Sequence, residues 1–361
     1  MRIGAVVFGF LALMLAAQTA AAFPPVFVLG TTGGSVLSED DDDSSITATP
    51  TAGSHGSFSY RTTLPTGGYA AFGFDGSLRY YFGEVDDFQD QEVLSAEIKT
   101  PLGPGSLLAG AGATTSLQNL GVSGRYIQPD WSAGYEFPQW ENGLPPEIRY
   151  SGLYRYEADG VQDKLRNAVA AGIVADPSIR FGYSVHAEGA WELFSEQKIL
   201  DEDGTEGGAQ RSDIIASLDA RAEGLMGFFT SWNVDTDVGY RASTANRYIA
   251  ATGEVEENSQ SRLFARLEPS VEFSPVQQLG IGTSLTFGDS YYVDRAALGD
   301  DGRPSEANLN LFDIGGSVYL DWTPNNALFF LLEASVSRQF SSQPGLEGWS
   351  STIQGGIEYS F

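Results

Sequence analysis

The most constraining feature of this 361-residue chain is an alternation of apolar and polar residues with a period of two. In the segment at 311–322, Phe312 and Ile314 share one parity, whereas Asp313 and Ser317 share the other. Successive side chains of a β-strand point to opposite faces, so this period predicts strands with one apolar and one polar face. After the N-terminus no apolar run approaches the eighteen or so residues of a membrane helix.

The alternation predicts about sixteen strands. They are expected near 25–37, 54–64, 69–82, 92–100, 106–118, 122–136, 147–156, 165–175, 179–195, 213–227, 230–249, 262–273, 279–288, 311–322, 327–340 and 349–361. An even number of strands places both termini at the same end of a sheet. The first two are the open point, because 23–66 could instead form an N-terminal plug inside a barrel of fourteen strands.

The connections between these strands alternate between short turns and longer, mostly acidic loops. The short turns are expected at 64–68, 101–104, 175–178, 228–230, 274–277 and 323–326, with 138–146 on the same side. The long loops are expected at 39–53, 83–91, 157–164, 196–212, 252–260, 288–308 and 341–348, and 119–123 is short where a long loop is due. Short turns at one end and long loops at the other are typical of outer-membrane barrels, whose short side is periplasmic.

The fold class predicted from these patterns is all-β, a transmembrane antiparallel up-and-down β-barrel. A soluble sandwich would alternate too, but here aromatic residues cluster near strand ends, as interfacial belts require. The belt residues are Tyr80, Phe82, Trp232, Tyr240, Phe287, Trp322, Phe340, Trp349, Tyr359 and Phe361. Because backbone groups in lipid must all be paired, strands can span a membrane only as a closed barrel.

Residues 1–22 have the pattern of a secretory signal peptide: a basic start, an apolar stretch and small residues before Phe23. The remaining residues, 23–361, are then a single barrel domain. The chain contains no cysteine, which excludes disulfides and a lipoprotein anchor. Its net charge of −27 excludes nucleic acid as a partner.

The last strand ends in Ile357, Tyr359 and Phe361 on one face. This resembles the final strand of bacterial outer-membrane β-barrel proteins of the porin-like kind, with no specific subfamily indicated. The resemblance implies a location in the bacterial outer membrane, and a partner in the barrel-assembly machinery, for which Tyr359 and Phe361 form the assembly signal. The membrane lipid would surround the barrel.

Strand parity places many charged residues on the inner face. A charge facing lipid at the bilayer midplane costs about 2–4 kcal/mol, so the polar parity must face inward. The expected pore-lining residues are Arg79, Lys99, Arg149, Arg155, Arg180, His186, Glu188, Glu192, Asp219, Arg221, Glu223, Asp235, Asp237, Arg241, Arg262, Arg266, Glu268, Glu272, Asp313 and Glu333. We expect opposed rows of arginines and carboxylates across the pore, and loops 196–212 and 288–308 are long enough to fold into it.

A barrel of about sixteen strands is too wide for side chains to fill and usually holds an aqueous channel. The predicted function is therefore passive diffusion of small hydrophilic solutes, with a mild cation preference from the surplus of carboxylates. Two alternatives are a closed barrel acting as a structural or adhesive surface protein, and a plugged fourteen-strand transporter of hydrophobic compounds.

No catalytic, cofactor or metal site is predicted. His55 and His186 are the only histidines, and neither lies in a legible triad with an activating base. Asp40–Asp43 and 201–206 are acidic stretches, but the latter lacks the distal glutamate of a calcium loop. Weak binding of divalent cations there is a minor hypothesis, and a solvated loop is the alternative.

Overall fold

The computed structural model describes residues 26–39, 46–82, 87–118, 125–138, 146–158, 163–178, 180–276, 278–325 and 327–360. The predicted signal peptide, the Asp40–Asp43 run, the 119–123 connection and Phe361 lie outside these residues. No helix long and apolar enough to cross a membrane occurs in the part that is described.

The described residues form eighteen strands, whose polar and apolar parities follow the alternation in the sequence. In order they are β1 Val26–Glu39, β2 Ile46–Thr63, β3 Tyr69–Tyr81, β4 Asp87–Leu102, β5 Gly105–Gln118, β6 Tyr126–Glu136, β7 Pro146–Glu157, β8 Lys164–Ser178 and β9 Phe181–Leu200. Then follow β10 Glu206–Leu225, β11 Thr230–Ser243, β12 Arg247–Ile249, β13 Glu254–Glu256, β14 Arg262–Val276, β15 Leu279–Leu298, β16 Pro304–Asn325, β17 Leu328–Ser341 and β18 Gly348–Ser360.

Sixteen of these strands form one closed antiparallel barrel in chain order, and β12 pairs only with β13. The barrel closes where β1 pairs with β18, in a register that runs from Val28 opposite Ser360 to Ser38 opposite Ser350. The sixteen-strand prediction is therefore confirmed. The fourteen-strand alternative with a plug is wrong, because β1 and β2 lie in the wall and pair along their whole length.

The outer face of the barrel is apolar and carries an aromatic belt at each end. Near the turn end, Trp322 stacks on Phe330 with ring centroids 5.1 Å apart, and near the loop end Phe312 contacts Phe340 at 6.2 Å. Along β16 and β17 the belts are ten residues apart. With about 3.3 Å per residue and strands tilted by about 40°, the band between them is about 25 Å tall, which matches the apolar band of membrane barrels.

The long connections differ from the prediction. Much of 196–212 and 288–308 is strand, so that β9–β10 and β15–β16 are hairpins that extend beyond the barrel wall. The connections themselves are therefore shorter than predicted, at 201–205 and 299–303. Register shifts between Tyr291 and Ala296 interrupt the parity, which is why the period of two did not reveal the extensions. The predicted strand at 230–249 ends at Ser243.

Candidate functional site

The inner face of the barrel can be identified from contacts between side chains on strands that are not adjacent. Two side chains can meet across an intervening strand only on the concave side of the wall. Lys99 on β4 contacts Glu136 on β6 at 2.5 Å, and His186 on β9 contacts Glu147 on β7 at 2.9 Å. The opposite parity carries the exposed large apolar residues. The inner face is therefore polar and charged, and the outer face is apolar.

The structure places the predicted charged set on this inner parity. The strand residues concerned are Arg79, Lys99, Arg149, Arg155, His186, Glu188, Glu192, Asp219, Arg221, Glu223, Asp235, Asp237, Arg241, Arg262, Arg266, Glu268, Glu272, Asp313 and Glu333. Arg180 lies in the turn before β9, where its guanidinium stacks on Phe228. Inner residues that the sequence reasoning left out include Arg61, Glu147, Arg166 and Asp213, which parity alone would have found.

Opposite charges on the inner face pair with close neighbours. Arg221 contacts Glu223 at 2.8 Å, Arg266 contacts Glu268 at 2.5 Å, and Arg166 contacts Glu188. Residues two apart on a strand share a face, so such pairs form locally. The expected rows of arginines facing carboxylates across the lumen are not present in the described wall, because both signs alternate within the same sector.

A cluster of buried charges lies where β8 to β11 approach the loop end. Glu192 and Asp213 have side chains that are 3% and 0% exposed. Arg241 bridges them, with guanidinium nitrogens 3.3 Å from a carboxylate oxygen of each. Lys164 also contacts Glu192 at 3.2 Å, and Arg211 contacts Asp213 at 2.6 Å. This buried ion cluster fixes four neighbouring strands to one another.

A more open acidic sector lies nearer the middle of the wall. Asp219 is directly opposite Asp237 in the pairing of β10 with β11, and Asp235 is directly opposite Glu268 in the pairing of β11 with β14. These carboxylates border one recess together with Arg221 and Arg266. Four carboxylates therefore share this part of the inner face with two arginines.

A second recess, of about 680 Å³, lies closer to the turn end of the lumen. Arg180, Arg221 and Glu272 border it. The hydroxyl of Tyr319 donates a hydrogen bond of 3.1 Å to Glu272 across β15. The recess therefore offers both cationic and anionic groups to a polar solute.

The wall opposite the acidic sector carries smaller side chains and fewer charges on its inner face. The inner parity of β1 to β3 is largely glycine, serine and threonine. Its polar contacts include those of Arg79, which donates to Gln354 at 3.3 Å, and of His55, which lies 3.2 Å from Glu358. His55 therefore contacts a carboxylate of the wall. In the described residues no hydroxyl lies in a histidine–carboxylate arrangement with it.

The connection at 244–261, here called the clasp, joins the two extended hairpins at the loop end. Asn246 donates to the carbonyl of Leu200 at 2.9 Å, and Arg247 donates to the carbonyl of Ala296 at 2.9 Å. Glu256 accepts from Arg247 at 2.6 Å and from the Ala296 amide at 3.2 Å. Burial, and next the charge of Arg247, lower the pKa of Arg295 beside it. The clasp thus braces the rim with buried and charged contacts.

In the acidic turn at 201–205, one carboxylate accepts hydrogen bonds from within the turn. Asp203 accepts hydrogen bonds from the Thr205 hydroxyl at 2.6 Å and the Thr205 amide at 3.0 Å. These bonds lower the pKa of Asp203. No group of three or more potential metal ligands occurs among the residues that the structure describes.

No protein-family model matches this chain, and neither does the sequence of any curated protein. Among solved structures, OccAB1 of Acinetobacter baumannii is similar, with a TM-score of 0.53, 12% identity, and coverage of 96% of this chain and 99% of that one. OpdK, an outer membrane protein of Pseudomonas aeruginosa, has a TM-score of 0.48, 8% identity, and coverage of 94% and 99%. A loop-deletion mutant of OmpT, an outer membrane protein of Vibrio cholerae, has a TM-score of 0.47, 9% identity, and coverage of 94% and 99%. At these identities the similarity concerns the fold, and the chain has the fold of bacterial outer-membrane β-barrel proteins.

Proposed function

We propose that this protein is an outer-membrane channel for the passive diffusion of small hydrophilic solutes. The observation that carries the proposal is a closed wall of sixteen strands with an apolar outside and a charged inside. Such a wall has a polar interior that lipid cannot stabilise, so its interior must hold water or polar solutes.

The size of the barrel supports an open interior. Sixteen strands spaced about 4.8 Å apart and tilted by about 40° give a circumference of about 100 Å and a backbone radius of about 16 Å. Barrels of this strand number leave an aqueous channel, whereas barrels of about eight strands are filled by side chains. The closed structural barrel is therefore the weaker alternative. With β1 and β2 in the wall, 26–63 does not supply the plug that the hydrophobic-compound transporter requires.

The charge of the lumen supports a cation preference. Carboxylates outnumber arginines in the acidic sector, where Asp219, Asp235, Asp237 and Glu268 lie with Arg221 and Arg266. Like charge repels anions from such a surface. Residues 1–22 as an export signal, and Tyr359 with Phe361 as the contact for the assembly machinery, complete the proposal.

The test is single-channel recording with purified, refolded protein in a planar bilayer. We expect stepwise conductance in molar potassium chloride, and under a salt gradient a reversal potential of the sign given by cation preference. Heat-denatured protein is the control. Absence of steps from protein that migrates as a folded barrel would reject an open channel, and an anion-selective reversal potential would reject the cation preference alone.

A further inference from the structure

Two arginines on the inner side of the barrel mouth flank one buried ring. Arg262, at the start of β14, donates a hydrogen bond of 2.9 Å to the hydroxyl of Tyr292 on β15. Arg295, further along β15, has its guanidinium carbon 5.4 Å from the centroid of the same ring. Because Tyr292 is only 5% exposed, its ring is a fixed spacer between the two cations. Arg262 and Arg295 are here called the arginine pair.

The arginine pair has no counter-charge in the part of the chain that is described. Neither of its members forms a salt bridge there, whereas Arg241 and Arg247 beside them do. The Nε–H group of each is buried without a hydrogen-bond acceptor, and Arg295 makes no other side-chain hydrogen bond to described residues. A buried donor without an acceptor is unfavourable, and more so when the group is charged. The pair therefore offers both the charge and the donors that an anion would complete.

The neighbour on one side of the pair is a third arginine. Arg241 of β11 is directly opposite Arg262 in the pairing of β11 with β14, and like charges in such positions repel each other. The buried carboxylates Glu192 and Asp213 each lie 3.3 Å from Arg241 and also contact other cations of their cluster. They therefore do not neutralise Arg262.

The neighbour on the other side is Arg247 of the clasp. Its positive charge acts on Arg295, whose charged form burial already disfavours. The carboxylate of Glu256 also acts on Arg295, but its Oε2 accepts from Arg247 at 2.6 Å and its Oε1 accepts from the amide of Ala296 at 3.2 Å. Four guanidiniums therefore lie together here, and carboxylates pair with only two of them.

We propose that the arginine pair binds a doubly charged oxyanion, which lies between the barrel wall and the clasp. Two guanidiniums without carboxylates match two negative charges. Each guanidinium carbon lies within 5.6 Å of the Tyr292 centroid, so the two carbons are at most about 11 Å apart. Neither side chain is held by an ion pair that would keep it from turning toward the anion. Charge-assisted hydrogen bonds of about 2.8 Å from two planar forks then let one tetrahedral anion bond to both.

The site is separate from the acidic sector of the lumen. That sector begins at Arg266, which is four residues along β14 from Arg262, or about 13 Å deeper in the barrel. The arginine pair instead lies where the extended β15 meets the clasp, since Arg247 of the clasp is bonded to the carbonyl of Ala296. A bound anion would therefore stabilise the rim, whether or not the barrel conducts.

Calorimetric titration of the full-length, refolded protein with sodium phosphate tests the site, in a chloride buffer of constant ionic strength. We expect saturable binding of one phosphate per chain, weakened about tenfold or more in R262M and in R295M, which keep a long side chain but lose the charge. The matched control is R303M, because Arg303 lies on the neighbouring hairpin, is 69% exposed and is paired with Asp301. Its affinity should change less than about twofold. Wild-type protein that migrates as a folded barrel but gives no saturable heat, or an equal loss in R303M, would overturn the proposal.

Amide exchange of the wild type provides a readout that needs no variant. Phosphate should slow exchange in the clasp at 247–256 and leave β2 to β5 unchanged, and binding without this slowing would overturn the position between wall and clasp. Titrations in vesicles with and without lipopolysaccharide distinguish the source of the anion. An unchanged affinity indicates a free anion, whereas loss of binding of free phosphate indicates that a headgroup phosphate occupies the same arginine pair. Conductance is recorded on the same samples, so phosphate binding by a non-conducting barrel refutes the channel alone.

Discussion

Removal of Arg241 should destabilise the barrel far more than removal of an exposed arginine on the same inner face. In the variant R241A, Glu192 and Asp213 keep their burial but lose a shared cation that lies 3.3 Å from each. Breaking a buried ion pair costs about 3–5 kcal/mol, because a charge remains buried without compensation. Here Lys164 and Arg166 still contact Glu192, and Arg211 still contacts Asp213. We therefore expect a loss of about 2–4 kcal/mol in the free energy of unfolding.

The matched control is R221A. Arg221 and its partner Glu223 are 53% and 51% exposed, so solvent screens their interaction and we expect a loss below about 1 kcal/mol. Both variants can be unfolded by denaturant in lipid vesicles or detergent, with tryptophan fluorescence as the signal. A loss for R241A within about 0.5 kcal/mol of zero, or an equal loss in R221A, would refute the inference that burial makes this cluster contribute more to the free energy of unfolding than an exposed ion pair does.

Three further predictions concern the rim, the acidic turn and the lumen. The variant E256A should release the clasp, seen as faster amide exchange there while the wall strands keep their protection; unchanged exchange would show that its other contacts suffice. The hydrogen bonds from Thr205 lower the pKa of Asp203. They therefore stabilise the turn while the carboxylate is ionised, and this contribution is lost as the pH falls through the pKa of Asp203. In carbon-13 NMR titrations T205A should raise this midpoint, and an unmoved midpoint would contradict the cause. The double variant D219N/D237N should shift the reversal potential toward zero, whereas an equal shift from the outer-face variant D90N would argue against a lumen effect.

The architecture was predictable because alternation with a period of two is a local signal. It located each wall strand, including β1 and β2, whose alternation is weaker because glycine, serine and threonine replace large apolar residues. The extended hairpins were not predictable, since register shifts near Ser212 and Tyr291 move side chains to the other parity. A count of apolar and polar positions cannot follow such a shift.

The candidate site was predictable only as a set of residues. Parity assigned charges such as Asp219 and Arg266 to the inner face, but their partners depend on the register between strands, which local sequence does not encode. The opposed rows were wrong for this reason. The rule that wall charges face inward fails for Asp90, Asp289 and Arg338, which lie on the outer parity.

The extended hairpins and the clasp make the rim of the barrel uneven. On β15 the strand continues for seven residues beyond Tyr291 of the loop-end belt, or about 20 Å, whereas the chain between β1 and β2 and between β3 and β4 has only a few residues. If the barrel is inserted as proposed, the braced side stands above the membrane as the first surface that a phage or an antibody meets. Escape substitutions and strain-to-strain variation should then concentrate at the hairpin tips, while the clasp, whose contacts hold the tips in place, varies little.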